Sequence, residues 1–129
     1  MTPVLILAAL ASAFNLECSG TAYHVDKLMG PQTNVHPFTI TYRVDLTTNR
    51  YCQNACTVTA ELAKVTATMI IFEMEERDKL DDTIVDVNRE SGKYLDRRRF
   101  FIPPDTLSID MANGECRRAP FTGFPLRKF

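Results

Sequence analysis

Polar and apolar residues alternate along most of this chain with a period of two. Phe38, Ile40, Tyr42 and Val44 are interleaved with Thr39, Thr41, Arg43 and Asp45, as a strand with one buried and one wet face requires. Phe14, Leu16 and Cys18 alternate with Asn15, Glu17 and Ser19 in the same way. Leu107, Ile109 and Met111 repeat the pattern, with Ser108 and Asp110 expected to face outward. The run Thr68 to Met74 is apolar on both sides at its middle, which predicts the most central strand of the sheet.

Two turns share one residue pattern: Val44 to Tyr51 matches Val87 to Tyr94 in residue character, position by position. Asn49 and Gly92 fall where a hairpin loop needs positive φ, and each is followed by a basic residue and a returning tyrosine. Thr57 to Thr68 carries two signals. Leu62, Val65 and Met69 fit a helical stripe, whereas Thr57, Val58, Thr59, Val65, Thr66 and Thr68 are β-branched. We read the segment as strand, turn, strand. Pro31, Pro37, Pro103 and Pro104 mark loops, and Asn113-Gly114 marks a tight turn or bulge before Cys116. The expected fold is all-β: a small antiparallel β-barrel or sandwich of seven to nine short strands, stabilised by disulfides.

The N-terminus changes this picture. Val4 to Ala11 is uncharged and apolar and ends in Ala11-Ser12-Ala13, and all four cysteines follow. That is the arrangement of a cleaved signal peptide, residues 1–13, ahead of a single β domain, residues 14–129. Removing 13 of the 129 residues leaves 116, enough for one core. The apolar run is well short of the ~20 residues that span a bilayer, so no transmembrane segment is expected in the mature chain. The expected location is periplasmic or secreted. The net charge of −1 lacks the basic excess of a nucleic-acid binder. The charges do segregate, with Glu73, Glu75, Glu76, Asp78, Asp81 and Asp82 in one stretch and Arg97, Arg98 and Arg99 in another. We read these as two solvated loops or strand ends.

Three stretches carry a family resemblance: Phe14-Asn15-Leu16-Glu17-Cys18-Ser19-Gly20-Thr21, Tyr42 to Leu46 leading to Tyr51-Cys52, and Cys116 followed by Pro120-Phe121-Thr122-Gly123-Phe124-Pro125. Together they resemble a group of small exported proteins of unknown function from Gram-negative bacteria, with F-N-L-x-C-x-G-T after the signal and C…P-F-T-G-F-P at the end. The resemblance spans nearly the whole mature chain. It implies export and fold, and no particular chemistry.

Four cysteines allow three connectivities. We favour Cys52 with Cys56 as a local clip and Cys18 with Cys116 joining first strand to last. Four thiolates, with His24 or His36 replacing one, form the competing zinc reading. It lacks paired Cys-x-x-Cys knuckles, and exported thiols oxidise. A catalytic dithiol would have two intervening residues and a helix start, and Cys52 follows a strand-like Arg50-Tyr51 instead. Ser19, Ser91 and Ser108 lack a nucleophile-elbow context, and His24 and His36 read as exposed loop residues. No catalytic residue, cofactor or metal site is therefore expected.

The reading that remains is a non-enzymatic binding or interaction module that meets a protein or envelope partner. Its candidate interaction loop comprises Ser91, Gly92, Lys93, Arg97, Arg98 and Arg99. A specific version is an inhibitor of a cell-wall-lytic enzyme, working through Ser91-Gly92-Lys93-Tyr94. The alternative is a barrel holding a small apolar ligand among Phe38, Tyr42, Phe72 and Phe121.

Overall fold

The structure is a computed structural model that describes residues 12–26 and 30–125. Most of the expected signal segment, residues 1–11, lies outside the described residues. Nine strands follow in chain order: β1 (Ala13–Val25), β2 (Thr33–Asp45), β3 (Arg50–Gln53), β4 (Ala60–Glu61), β5 (Lys64–Val65), β6 (Met69–Asp78), β7 (Asp81–Asn88), β8 (Lys93–Ile102) and β9 (Thr106–Ala119). Every pairing is antiparallel, in one sheet of order β4-β3-β2-β1-β9-β8-β7-β6-β5. The fold is all-β, as the alternation predicts, and no described helix is long and apolar enough to cross a membrane.

The sheet curls into a half-barrel because its edge strands are neighbours in sequence. Leu62 and Ala63 bridge β4 and β5: Leu62 N donates to Asn49 O at 3.0 Å and Ala63 N to Ile71 O at 2.9 Å. Leu62 is buried beneath this bridge. One end of the half-barrel is therefore drawn together, and the other stays open where β2 and β6 run on past β3 and β5. The segment with mixed helical and strand signals thus forms two short strands, because its residues close the sheet.

Aromatic rings fill the closed end. Tyr42 stacks on Phe72 with centroids 4.0 Å apart, Tyr51 meets Phe72 edge-on at 5.1 Å, and Tyr94 lies 5.9 Å from Tyr42. The Tyr42 and Tyr94 hydroxyls bond each other at 2.7 Å, which satisfies both inside the core. Burial pushes the Tyr94 phenol up to about 12 and the Tyr42 phenol further in the same direction. Phe38 joins this cluster through Tyr94 at 5.8 Å, whereas Phe121 packs instead on Phe124.

The paired turns behave alike. Asp45 Oδ1 accepts from the Thr47 and Thr48 amides, and Asn88 Oδ1 accepts from the Glu90 and Ser91 amides. Asn49 and Gly92 hold positive φ, 57° and 75°, and Tyr51 and Tyr94 both return into the core.

Several expectations are corrected. The 68–74 run is not the central strand: β6 is next to the sheet edge and β9 sits at the middle. Ile70 and Phe72 are buried, but Met74 is 56% exposed. The continuous apolar run reflects a bulge at Phe72/Glu73 rather than two covered faces. Asn113-Gly114 is no turn. It lies inside β9 opposite Gly20-Thr21, where a Cβ on Gly114 would stand 2.0 Å from the Ser19 carbonyl oxygen. The glycines let β1 and β9 approach beside the Cys18–Cys116 pair, whose Cα atoms are 3.9 Å apart. Pro37 lies in β2 rather than a loop. At that position β2 pairs only with β1, so the missing N–H is tolerated on the free edge.

The stretches that carry the family resemblance have structural work here. Phe14 and Leu16 enter the core and Cys18 pairs with Cys116. Asn15 is buried although it faces outward, because the 120–125 segment crosses over it. Asn15 Nδ2 donates to Thr122 Oγ1 at 2.9 Å, and Arg43 donates to the Gly123 carbonyl at 3.0 Å. The tail is a strap across the outer face of the closed end.

Candidate functional site

The open end reverses the usual placement of polar and apolar residues. At the closed end the inner face carries Phe14, Leu16, Tyr42, Val44, Val87 and Tyr94, all buried. Further along the same strands the inner face carries His24, Asp96, Arg98 and Asp110. Leu107, Ile109 and Met111 face outward, opposite to expectation. Ser108 and Asp110 turn inward, because Cys116 and Ala112 pack with the core and a period of two carries the same face back to both residues.

His24, Asp110 and Arg98 sit in one cross-strand row, and Ala22, Ala112 and Asp96 in the next. These rows line a cleft of about 220 Å³, completed by Asn34 and His36 from β2. His24 lies near the end of β1, and it is not a free loop-like residue but is held by two carboxylates. Its Nδ1 lies 2.7 Å from Asp110 Oδ1 and its Nε2 lies 2.6 Å from Asp26 Oδ1. The hydrogen bond to Asp110, then the one to Asp26, raises its pKa above the ordinary 6.5. A carboxylate on each ring nitrogen favours the imidazolium over the neutral ring. His36, also in a strand, is exposed and bonds the Asn34 carbonyl through Nδ1 at 2.7 Å.

Arg98 spans the other side of the cleft. It donates to Glu73 Oε2 at 3.0 Å and, through Nε, to Asp96 Oδ1 at 3.1 Å. Burial raises the Asp96 pKa, and the Arg98 charge works against that rise. The bulge at Phe72/Glu73 brings Glu73 onto the inner face beside Arg98 while leaving Phe72 in the core.

The predicted interaction loop divides. Ser91 and Gly92 form the β7–β8 turn at the closed end, and Lys93 begins β8. Gly92 is required there: it has positive φ, and its carbonyl accepts from Cys116 N at 2.7 Å. Arg97, Arg98 and Arg99 lie within β8 rather than in a loop, toward the open end and on alternating faces. The acidic and basic stretches are likewise not separate solvated loops. They meet across the sheet, with Arg98 reaching Glu73 over β7 and Arg99 held by both carboxylate oxygens of Asp82 on the neighbouring strand.

Both favoured cysteine pairs are present: Cys18–Cys116 and Cys52–Cys56. Among the described residues no group of three or more His, Cys, Asp and Glu side chains is arranged to hold a metal ion.

The chain defines a class by its architecture: a nine-stranded, disulfide-clamped half-barrel with a charged cleft at its open end. A comparison with protein families, with curated proteins and with solved structures finds no match to it.

The His24 cation gives the cleft a pH signature. The folded pKa is above the unfolded value, so the stabilisation is fully present below about pH 6.5 and lost as pH rises through the folded-state value. The urea midpoint is expected to fall over that range in the native sequence. In His24→Asn this fall should disappear, which paired denaturation series at acidic and alkaline pH will show.

Proposed function

We propose that this is an exported, non-enzymatic binding module whose recognition site is the charged cleft at the open end of the half-barrel. One observation carries the reading. Where the closed end fills its inner face with rings, the open end places a connected set of charges on that same face, over packed aromatic residues. Partly buried charges cost desolvation, and a fixed, partnered arrangement of them in a concave site is what binding sites use.

The balance of the cleft sets the ligand class. Asp26, Glu73, Asp96 and Asp110 face two cations, Arg98 and the His24 imidazolium. The excess of carboxylate favours a cationic group, such as the side chain of a lysine or arginine from a partner protein. Export is supported by the apolar leader and by two cysteine pairs of the kind that persist in oxidising compartments. Leader removal after Ala13 would free β1 at Phe14, the first of its buried core residues.

The absence of catalysis in this reading rests on His24. Ser108 Oγ lies 3.3 Å from Nε2, and Asp110 is on Nδ1, the contact order of a hydrolytic triad. Asp26 occupies the same Nε2 at closer range. An imidazolium bonded to two carboxylates has no lone pair with which to take the serine proton.

Backbone NMR of the folded domain, titrated with methylguanidinium and separately with acetate, tests the proposal. Saturable shifts at Ala22, Asp96 and Asp110 with methylguanidinium alone, abolished in Asp96→Asn, are expected. Equal response to acetate, or no saturable response at these positions, would overturn it.

A further inference from the structure

The outward residues of the open half form an apolar band interrupted by Arg97, Arg99 and Asp82. Across five strands the register aligns Tyr23, Met111, Arg97, Ile84 and Met74. Beside it run Val25, Ile109, Arg99 and Asp82, and Leu107 is paired with Phe101. A groove of about 250 Å³ lies in this band, between the apolar side chains and the stems of Arg97 and Arg99. The outer face of the closed half is different: it is polar and crossed by the 120–125 strap through Asn15 and Arg43. Both ends of the described chain leave at that closed end, where Ala13 pairs with Asp45 and Ala119 with Asn15. The terminal segments therefore start a full strand length away from the band.

We propose that this outer band is the interface of a homodimer, in which two copies pack sheet against sheet. Its charge pattern supports a second copy of this chain as the occupant. The two rows carry Arg97 and Arg99 against Asp82 and Glu76, so they are balanced, and a like surface meets no net repulsion. A two-fold axis along β9 lays β8 of one copy over β1 of the other. That sets Arg97 and Arg99 against Tyr23 and Val25, a guanidinium over a ring in the first case. Arg97 is also under-used within one chain. Its contact with Asp82 is long at 3.8 Å, and its side chain is about one-third exposed. The resulting two-layer core is ordinary sheet packing, and an isologous interface closes at two copies. The proposal does not rest on the charged side chains of the cleft, which lie on the opposite face, although Tyr23 and Met111 border both.

Sedimentation equilibrium of the intact, oxidised protein tests it. A mass of twice that of the single mature chain is expected at micromolar concentration. Met111→Lys is expected to weaken association at least 100-fold with an unchanged far-UV circular dichroism spectrum. Should that variant unfold, Arg97→Glu supplies the decision, since it alters charge at a half-exposed position. A native chain that stays monomeric through the concentration series overturns the proposal. So does a dimer that persists in a folded Met111→Lys or Arg97→Glu variant.

Discussion

Replacing Cys18 and Cys116 together by alanine is expected to lower the unfolding free energy by about 4 to 5 kcal/mol on the chain-entropy account. The pair is 98 residues apart in sequence and joins β1 to β9, the strands at the middle of the sheet. Without it the unfolded chain regains nearly the whole entropy of an open polymer. The same double replacement at Cys52 and Cys56, only four residues apart, is expected to cost about 2 kcal/mol by the same relation. Loop length is the main difference between the pairs, since Cys18, Cys52 and Cys56 are buried and Cys116 is partly buried. Urea unfolding followed by far-UV circular dichroism measures both. Equal losses from the two pairs would contradict the account.

Phe72→Ala is expected to cost about 3 to 5 kcal/mol, the range for removing a fully buried ring. Phe72 is 2% exposed, stacks on Tyr42 with planes 12° apart, and meets Tyr51 edge-on. It belongs to β6, while Tyr42 and Tyr51 belong to β2 and β3, so this one ring ties the two flanks of the half-barrel together. Truncation therefore weakens closure of the sheet as well as leaving a cavity. The chain has no tryptophan, and tyrosine emission, dominated by buried Tyr42, Tyr51 and Tyr94, is expected to change with the packing. The partly buried Phe38 is the control. Its replacement by alanine should cost clearly less, and the ranking of the two urea midpoints checks the assignment of the core.

The fold class was legible because a period of two survives in nearly every strand. The hairpin signals at Asn49 and Gly92 fell at the right residues, since positive φ restricts residue choice strongly. The cysteine pairing was not fixed by the sequence, which allowed three connectivities; the favoured one, a local pair and a pair linking first strand to last, is the one the fold brings together. The cleft was not, and the reason is specific. Leu107, Ile109 and Met111 are more apolar than Ser108, Asp110 and Ala112, so apolarity assigns them to the core. Counting by twos back from Cys116 through Gly114 and Ala112 reaches Asp110 and Ser108, which are the inward residues. Hydrophobicity and register disagree at the open end, and register decides, because a strand cannot change its face without a bulge. His24 was hidden by the same effect. It continues the inward series Phe14, Leu16, Cys18, Gly20 and Ala22, but a histidine at a strand end reads as loop. The partners of Arg98 and Arg99 required knowledge of which strands are neighbours, which no local pattern contains.

That disagreement between polarity and register is also what links the two functional readings. Inverting the faces in the open half puts charges inside, where a cleft can use them. It puts an apolar band outside, where a second copy can cover it. The acidic β6–β7 hairpin and the arginines of β8 hold this half together through cross-strand pairs rather than a ring-filled core. Exposed pairs of this kind contribute little individually, so the open half is expected to be the less stable part of the sheet.

The most direct test of the central claim, an exported and doubly bridged domain, is the intact mass of the protein recovered from its native host and alkylated under denaturing conditions without reductant. The account predicts a chain that has lost residues 1–13 and carries no alkyl group on Cys18, Cys52, Cys56 or Cys116. A full-length chain with all four cysteines alkylated would contradict it.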